Sequence, residues 1–426
     1  MTASGQAQHS IGKIGRHLAS FAVGIALTTL VAQPGQAQTY RVIHTFTNAA
    51  DGGNPFAGLT IDKAGNLYGT AAYGGYFGGN CYAGGCGTAF KLAPRGSGWI
   101  FTTLYTFQDQ SDGGNPEARL ILGPDGSLYG TTIFGDTVVN LKPPPTRPVS
   151  AFGPWLEKTL YQFNGGSEGV FPEGDQVFDQ AGNLYGGVFA GGSGDCYDGC
   201  GNVYMLTPSN GGWIRTSVYD FQGPNDGGGP NGVVFGKDGN LYGTTFRDGP
   251  YGDGTVFQLT PSGSGWTETT LHSFQYDDGI NPGAGLISDA AGNFYGSTTT
   301  GPGYSGTIFE LSPSNGGWTY TVLYHLPSQY EGGPAAVLAM DAAGNLYGTI
   351  KGYCEYCWGA VFKLSPGSGG WTFTSLHDFN GSDGGHPYSN VVFDAQGNFY
   401  GTASNGGPYN YECQYQSCGV VWEITP

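Results

Sequence analysis

The pentad Gly-x-(Leu/Phe)-Tyr-Gly occurs seven times, every 52 to 61 residues, from Gly65-Asn-Leu-Tyr-Gly69 to Gly397-Asn-Phe-Tyr-Gly401. The intervening copies begin at Gly126, Gly182, Gly239, Gly292 and Gly344. Such a chain is built from copies of one supersecondary unit, each too small to bury its apolar face alone, so neighbours must bury it for one another. A period near fifty residues confines the fold to a propeller or an array.

The fourth copy shows what one unit contains. Gly232 to Phe235 is a short apolar run, and Lys237 to Asn240 is a turn. Leu241 to Thr245 follows, then a glycine-rich loop, then Gly254 to Leu259. Pro261 to Gly265 breaks the chain before Trp266 to Phe274. Short runs of Val, Thr, Tyr and Phe bounded by Gly, Pro, Asn and Asp are strand signals, and no helical period of useful length appears. Four strands in each of seven repeats predict an all-β, seven-bladed propeller of antiparallel blades.

The two ends of the chain complement each other. The fourth strand carries a (Leu/Ile/Val)-(Tyr/His)-x-(Phe/Leu) core, as in Leu104 to Phe107, and an isolated copy, Ile43 to Phe46, stands near the start. The last repeat stops after its third strand, Val420 to Ile424. The N-terminal segment is therefore expected to complete the last blade and cover its edge. A tryptophan lies five residues before six of these cores (Trp99, Trp155, Trp213, Trp266, Trp318 and Trp371), and Gln38 holds that slot in the N-terminal copy.

Residues 1–37 read as an export signal. Lys13 and Arg16 precede an apolar run from Leu18 to Val31, and Gly35-Gln-Ala37 offers small residues for cleavage. That run is shorter than the roughly 20 residues needed to span a bilayer. The expected organisation is a signal peptide over 1–37 and a propeller over 38–426, secreted or periplasmic and not inserted in a membrane. The formal net charge of −17 repels nucleic acid and anionic lipid, which makes both poor candidates as partners.

Eight cysteines form four close pairs, Cys81/Cys86, Cys196/Cys200, Cys354/Cys357 and Cys413/Cys418, each just before a third strand. In an exported chain an even count predicts local disulfides. Zinc is the rival reading, but the spacing varies and the pairs sit in separate repeats, so no metal and no cofactor is expected. Asp62, Asp179, Asp289, Asp341 and Asp394, three residues before the pentad, suit turns in which the carboxylate bonds nearby amides. The pentad's second glycine is expected where blades pack face to face.

Candidate functional residues gather on one face, where the loops before strand one and after strand two open. The first set carries Asp51-Gly-Gly-Asn-Pro55 and its counterparts at Asp112, Glu168, Asp226, Asp278, Glu331 and Asp383. A single shared cation is opposed by magnitude, since inner strands stand up to about 11 Å from the axis and a cation takes oxygens at about 2.5 Å. Asp-Gly-Gly-x-Pro is also a strong turn signal. The second set is rich in tyrosine: Tyr73, Tyr76, Tyr82, Tyr197, Tyr251, Tyr304, Tyr353, Tyr356, Tyr409, Tyr411 and Tyr415. Tyrosine among Gly, Ser and Asn gives rigid amphipathic contacts, although such rings can also serve only to cover their own loops. Catalytic motifs are absent: no Gly-x-Ser-x-Gly elbow, no His-Glu-x-x-His and no phosphate loop. His386 beside Asp383 is the one acid/base pair to examine. Repeat two departs from the rest, with a proline-rich insertion at 143–148 expected to project stiffly.

The unit Pro-x-x-x-Leu-x-x-Asp-x-x-Gly-Asn-Leu-Tyr-Gly-Thr, followed by Gly-Thr-Val-Phe-x-Leu-x-Pro and Leu-Tyr-x-Phe, resembles the bacterial GloVer tandem-repeat family, described as choice-of-anchor. The resemblance implies an exported repeat protein and carries over no catalytic residues. The leading expectation is a monomeric, non-catalytic propeller that binds a glycan or an extracellular protein through its tyrosine-rich, acidic face. The alternatives are a carbohydrate-active hydrolase or lyase, and a structural component of a surface array.

Overall fold

A computed structural model describes residue 1 and residues 38–78, 81, 84–109, 111–144, 155–263, 265–352, 357–407 and 418–426. Gln38–Pro426 forms one compact unit. It contains seven antiparallel sheets, each ordered from an inner strand, only two residues long in most blades, to a long outer one. Blade four consists of Gly228–Phe235, Leu241–Arg247, Thr255–Ser262 and Gly265–Ser273. Contrary to the expectation that Pro261 ends the third strand, Pro261 pairs with Trp266 inside the hairpin. The second strand's pairing ends at Leu259, so beyond it the third strand has a free edge where a missing N–H costs no ladder bond.

The ring closes through the beginning of the chain. Strand Thr39–Thr45 lies antiparallel to Val420–Thr425, with Tyr40 opposite Ile424 and Val42 opposite Trp422. Its register slips between Val42 and His44, the position at which other outer-strand pairs slip, as between Val256 and Phe257. Phe46 is then buried against Leu59, Leu67 and Phe90 of blade one and Val421 of blade seven. Thr70 Oγ1 donates to Pro116 O at 3.0 Å and Thr349 Oγ1 to Ser389 O at 2.7 Å across ordinary blade junctions. Thr402 Oγ1 donates to Ala57 O at 3.0 Å across the seam, so the seam is bonded like any other junction.

Local chemistry explains the recurrent residues. Asp62 Oδ1 accepts the N–H groups of Ala64 and Asn66, both at 2.9 Å, and Asp341 repeats the pair with Ala343 and Asn345. These are the expected side-chain-bonded turns. Gly69 has a different cause from the one expected. A Cβ there would come 2.6 Å from Phe90 Cζ and 2.9 Å from Leu59, both in its own blade. The glycine makes room for an aromatic ring folded over it from the third strand rather than for a neighbouring blade.

Cys81–Cys86 and Cys196–Cys200 are disulfides, and Cys357 and Cys418 are also disulfide-bonded. Cys354 and Cys413 lie outside the described residues, as does most of the 143–148 insertion. The bridges hold carbonyls that join blades: Cys86 O accepts from Asn115 N at 2.9 Å, Cys200 O from Gly229 N at 2.9 Å, and Cys418 O from Asn54 N at 2.7 Å. Among the described residues no helix is long and apolar enough to cross a membrane.

Candidate active site at the mouth of the central channel

Every blade delivers residues that follow its loop proline to the axis, from Asn231 alone in blade four to three in most blades, and together they line a cavity of about 360 Å³. That size falls within the roughly 300–1,000 Å³ of small-ligand sites. The lining is not seven-fold. The residue after the loop proline is Phe56 in blade one, Glu117 and Glu173 in blades two and three, and Asn231 in blade four. Blades five and six supply only Gly283 and Ala335, and blade seven supplies Tyr388. Five blades thus supply aromatic, acidic or amide side chains at this position, and two supply small residues that leave space.

The carboxyls here are unusual. Glu117 is pushed up to about 7, first by burial and then by the neighbouring Glu173 carboxylate. Glu173 is raised by burial alone, although part of its surface faces the open channel. Arg119 donates to Asp175 from Nη2 at 2.8 Å and from Nε at 3.1 Å, tying blade two to blade three. This pairing holds the guanidinium above its ordinary value. The Arg119 charge is therefore already engaged, and Glu117 and Glu173 face each other without it. A carboxyl that keeps its proton near neutrality can donate a hydrogen bond or act as a general acid.

The walls are aromatic. Phe56 meets Tyr388 edge-on at 5.6 Å and Tyr73 at 6.3 Å. Phe189 lines the cavity beneath the Arg247 guanidinium, 5.4 Å from its ring centre. Behind Phe56, the Tyr73 hydroxyl is raised by burial and by the Glu117 carboxylate.

The other candidates are distributed differently. Tyr76, Tyr197, Tyr251 and Tyr304 are exposed on the loops around the mouth, together with Phe77, Phe171 and Tyr276. Tyr82, Tyr353, Tyr356, Tyr409, Tyr411 and Tyr415 lie outside the described residues. Six of the loop acids bond backbone amides of their own loops. Asp112 accepts from Tyr105 Oη at 2.8 Å and Gln108 N at 3.0 Å, and Asp226 from Tyr219 Oη at 2.8 Å. Asp383 likewise takes His377 Nε2 at 3.1 Å and Asn380 N at 3.0 Å, so its histidine partner is His377. No group of three or more His, Cys, Asp or Glu able to hold a metal occurs among the described residues.

His386 faces elsewhere. Its Nδ1 lies 3.0 Å from Lys351 O and 3.2 Å from Gly352 O. Carbonyls only accept, so Nδ1 carries the proton and Nε2 is an acceptor in the neutral ring. His386 has φ 49° and Phe171 has φ 60°, at the loop position that Asn54, Asn115 and Asn281 fill in other blades. Asparagine tolerates this left-handed backbone, whereas bulky residues there are uncommon and mark strained, often functional positions.

Sequence reasoning missed Glu117, Glu173, Arg119 and Asp175. The available signal was positional: aligning the repeats on the loop proline exposes two consecutive glutamates in a column otherwise held by Phe, Asn, Gly, Ala and Tyr.

The fold and its axial cavity define a seven-bladed propeller with one asymmetric ligand-sized site. The family model described as Gloeobacter/Verrucomicrobia repeat matches residues 153–349 and 267–426, and the chain belongs to that family. No curated protein sequence matches it. Among solved structures, virginiamycin B lyase from Staphylococcus aureus is similar at a TM-score of 0.57 and 14% identity, covering 91% of this chain and 99% of that one. The extracellular domain of a hybrid two component system from B. thetaiotaomicron reaches 0.53 at 11% identity, over 91% of this chain and 39% of that one. A gluconolactonase from Xanthomonas campestris gives 0.43 at 13% identity, over 79% and 94%. At these identities the likeness concerns the fold alone.

Proposed function

We propose that this is an exported, monomeric binding propeller that takes a saccharide unit at the mouth of its central channel. In this reading residues 1–37 are a cleaved signal peptide and the loop tyrosines extend the contact surface. The observation that carries the reading is the lopsided lining, with Phe56 and Tyr388 beside Glu117, Glu173 and Asn231 and with space against Gly283 and Ala335. A pyranose ring has an apolar C–H face that stacks on aromatics and hydroxyl edges that bond carboxyls and amides. A glycan array probed with the purified chain tests this. Phe56→Ala with Tyr388→Ala should weaken binding at least about ten-fold, the effect of about 1.4 kcal/mol. Unchanged affinity refutes the site.

One observation favours a second reading. Glu117, holding its proton near pH 7 beside Glu173, has the chemistry of the acid in a carbohydrate hydrolase or lyase. Turnover of a polysaccharide that disappears in Glu117→Gln while ligand binding persists would establish it.

A further inference from the structure

A second groove opens between blades four and five, at the strand ends away from the channel loops. Its floor is the Asp238 turn of blade four, and its far wall is the hairpin of blade five that carries Trp318. Its volume is about 540 Å³.

The elements of this groove recur around the ring, but their combination does not. Trp318 leans on Tyr242 of the preceding blade at 5.4 Å and 65°, as Trp155 leans on Tyr68 and Trp213 on Tyr129. What differs is the third-strand residue beside the tyrosine. In blade one Lys91 stands 5.6 Å over Tyr68, and in blade six Lys363 stands 5.6 Å over Tyr347. In blade seven Glu423 is locked to Arg41 at 2.5 Å, and Arg41 also donates to Ser97 O. Blade three has Met205 there, blade five Glu310, and blade two Asn140, whose Nδ2 donates to Leu128 O at 3.1 Å; blade four has the uncharged Gln258. Its Nε2 donates to Tyr242 Oη at 2.9 Å, and Tyr242 Oη donates to Asp238 Oδ2 at 2.7 Å. Amide, phenol and carboxylate are thus fixed in one row, with the Thr269 hydroxyl along the same groove and the Trp318 indole on the far wall. A Cβ built on Gly316 or Gly317 would meet nothing within 4 Å, so the turn that leads into Trp318 is open, while the Trp318 ring itself rests on Tyr242 and Phe294.

The free edge of a half-buried tryptophan beside a pre-oriented row of hydroxyl, amide and carboxylate matches the two faces of a sugar ring. We infer that this groove is a saccharide subsite, separate from the channel, that grips one pyranose unit of a polysaccharide. Placed at the opposite strand ends from the channel mouth, it would let one protein engage two stretches of polymer, and linked sites of this kind multiply avidity without further contacts.

The test is a set of binding isotherms of the purified full chain on insoluble cellulose, chitin, xylan and peptidoglycan. Wild type should be retained on at least one of these. Gln258→Lys imports the lysine that blades one and six already fold with, and Trp318→Ala removes the platform. Both should lower retention at least about ten-fold, whereas Trp266→Ala, the equivalent tryptophan of another junction, should not. Thermal melts establish that each variant is folded. Retention on none of the polymers, or retention untouched by Gln258→Lys, overturns the inference. Loss on Phe56→Ala without loss on Gln258→Lys would overturn the groove while leaving the channel reading intact.

Discussion

Glu117→Gln should make the protein more stable at neutral and alkaline pH while impairing the channel. Glu117 sits at about 7 in the folded chain against an ordinary 4.5. Every ten-fold change in proton affinity corresponds to about 1.4 kcal/mol, so the ionised side chain costs the fold up to about 3 kcal/mol once pH exceeds its folded value. The sign follows from proton counting. Between about 4.5 and 7 the folded chain binds the proton more tightly than the unfolded chain, so stability falls as pH rises through that window. Glutamine has nearly the same shape and does not ionise. Urea unfolding followed by tryptophan fluorescence should give matching midpoints for both proteins near pH 4.5. By about pH 8 the variant should be the more stable by up to about 3 kcal/mol, with an unchanged denaturant slope. Because burial outranks Glu173 as the cause, Glu173→Gln should leave most of the wild-type pH dependence in place. Parallel pH profiles for wild type and Glu117→Gln would refute the reasoning. A residue that costs this much and is easily replaced is the signature of a site kept for ligand rather than for folding.

Other consequences can be checked with the same equipment. Phe46→Ala should destabilise by about 3–5 kcal/mol in urea, as Phe221→Ala should in mid-ring, because both rings are fully buried at equivalent positions. A loss below about 1 kcal/mol at Phe46 alone would mean that the N-terminal strand does not close the ring. Burial holds His272 and His377 below the ordinary histidine value. Their contribution is therefore full above about pH 6.5 and is lost as pH falls below it, so His272→Tyr with His377→Tyr should move the acid-unfolding midpoint downward.

The fold was legible because each repeat states it again. Seven pentads, seven loop motifs and an orphan fourth-strand core, Ile43 to Phe46, give blade count, strand order and the closing strand without any need for long-range inference. The turn role of Asp62 and its counterparts was equally plain, since an Asp two residues before an amide bonds it locally. The cause of the Gly69 requirement was not plain, because it lies in the Phe90 ring on the next strand, which touches Gly69 only once the sheet has formed. The channel residues were illegible for a related reason. Glu117 and Glu173 are 56 positions apart in a chain where most other acids anchor turns. Their meeting depends on two blades pointing the same loop at one axis, and their raised values depend on the burial that follows.

The same logic indicates where function resides in a repeat protein of this kind. Residues that recur in most blades are explained by the ring's own architecture: the Asp turns, the glycine under the aromatic ring, and the threonine that bonds the next blade. Recurrence therefore argues for architecture, and loop acids such as Asp112, Asp226 and Asp383 anchor their own turns through Tyr105, Tyr219 and His377. Chemistry that breaks the symmetry has no such explanation. Glu117 and Glu173 follow the loop proline where other blades have uncharged residues, Phe171 and His386 occupy a backbone conformation better suited to asparagine, and Gln258 stands where blades one and six carry lysine. The blade's shared architecture requires none of these departures, and Glu117 is expected to weaken the ring once ionised. A fold that tolerates such positions in two separate grooves has stability to spare from its seven-fold packing, and it is at those exceptions that a ligand should be sought.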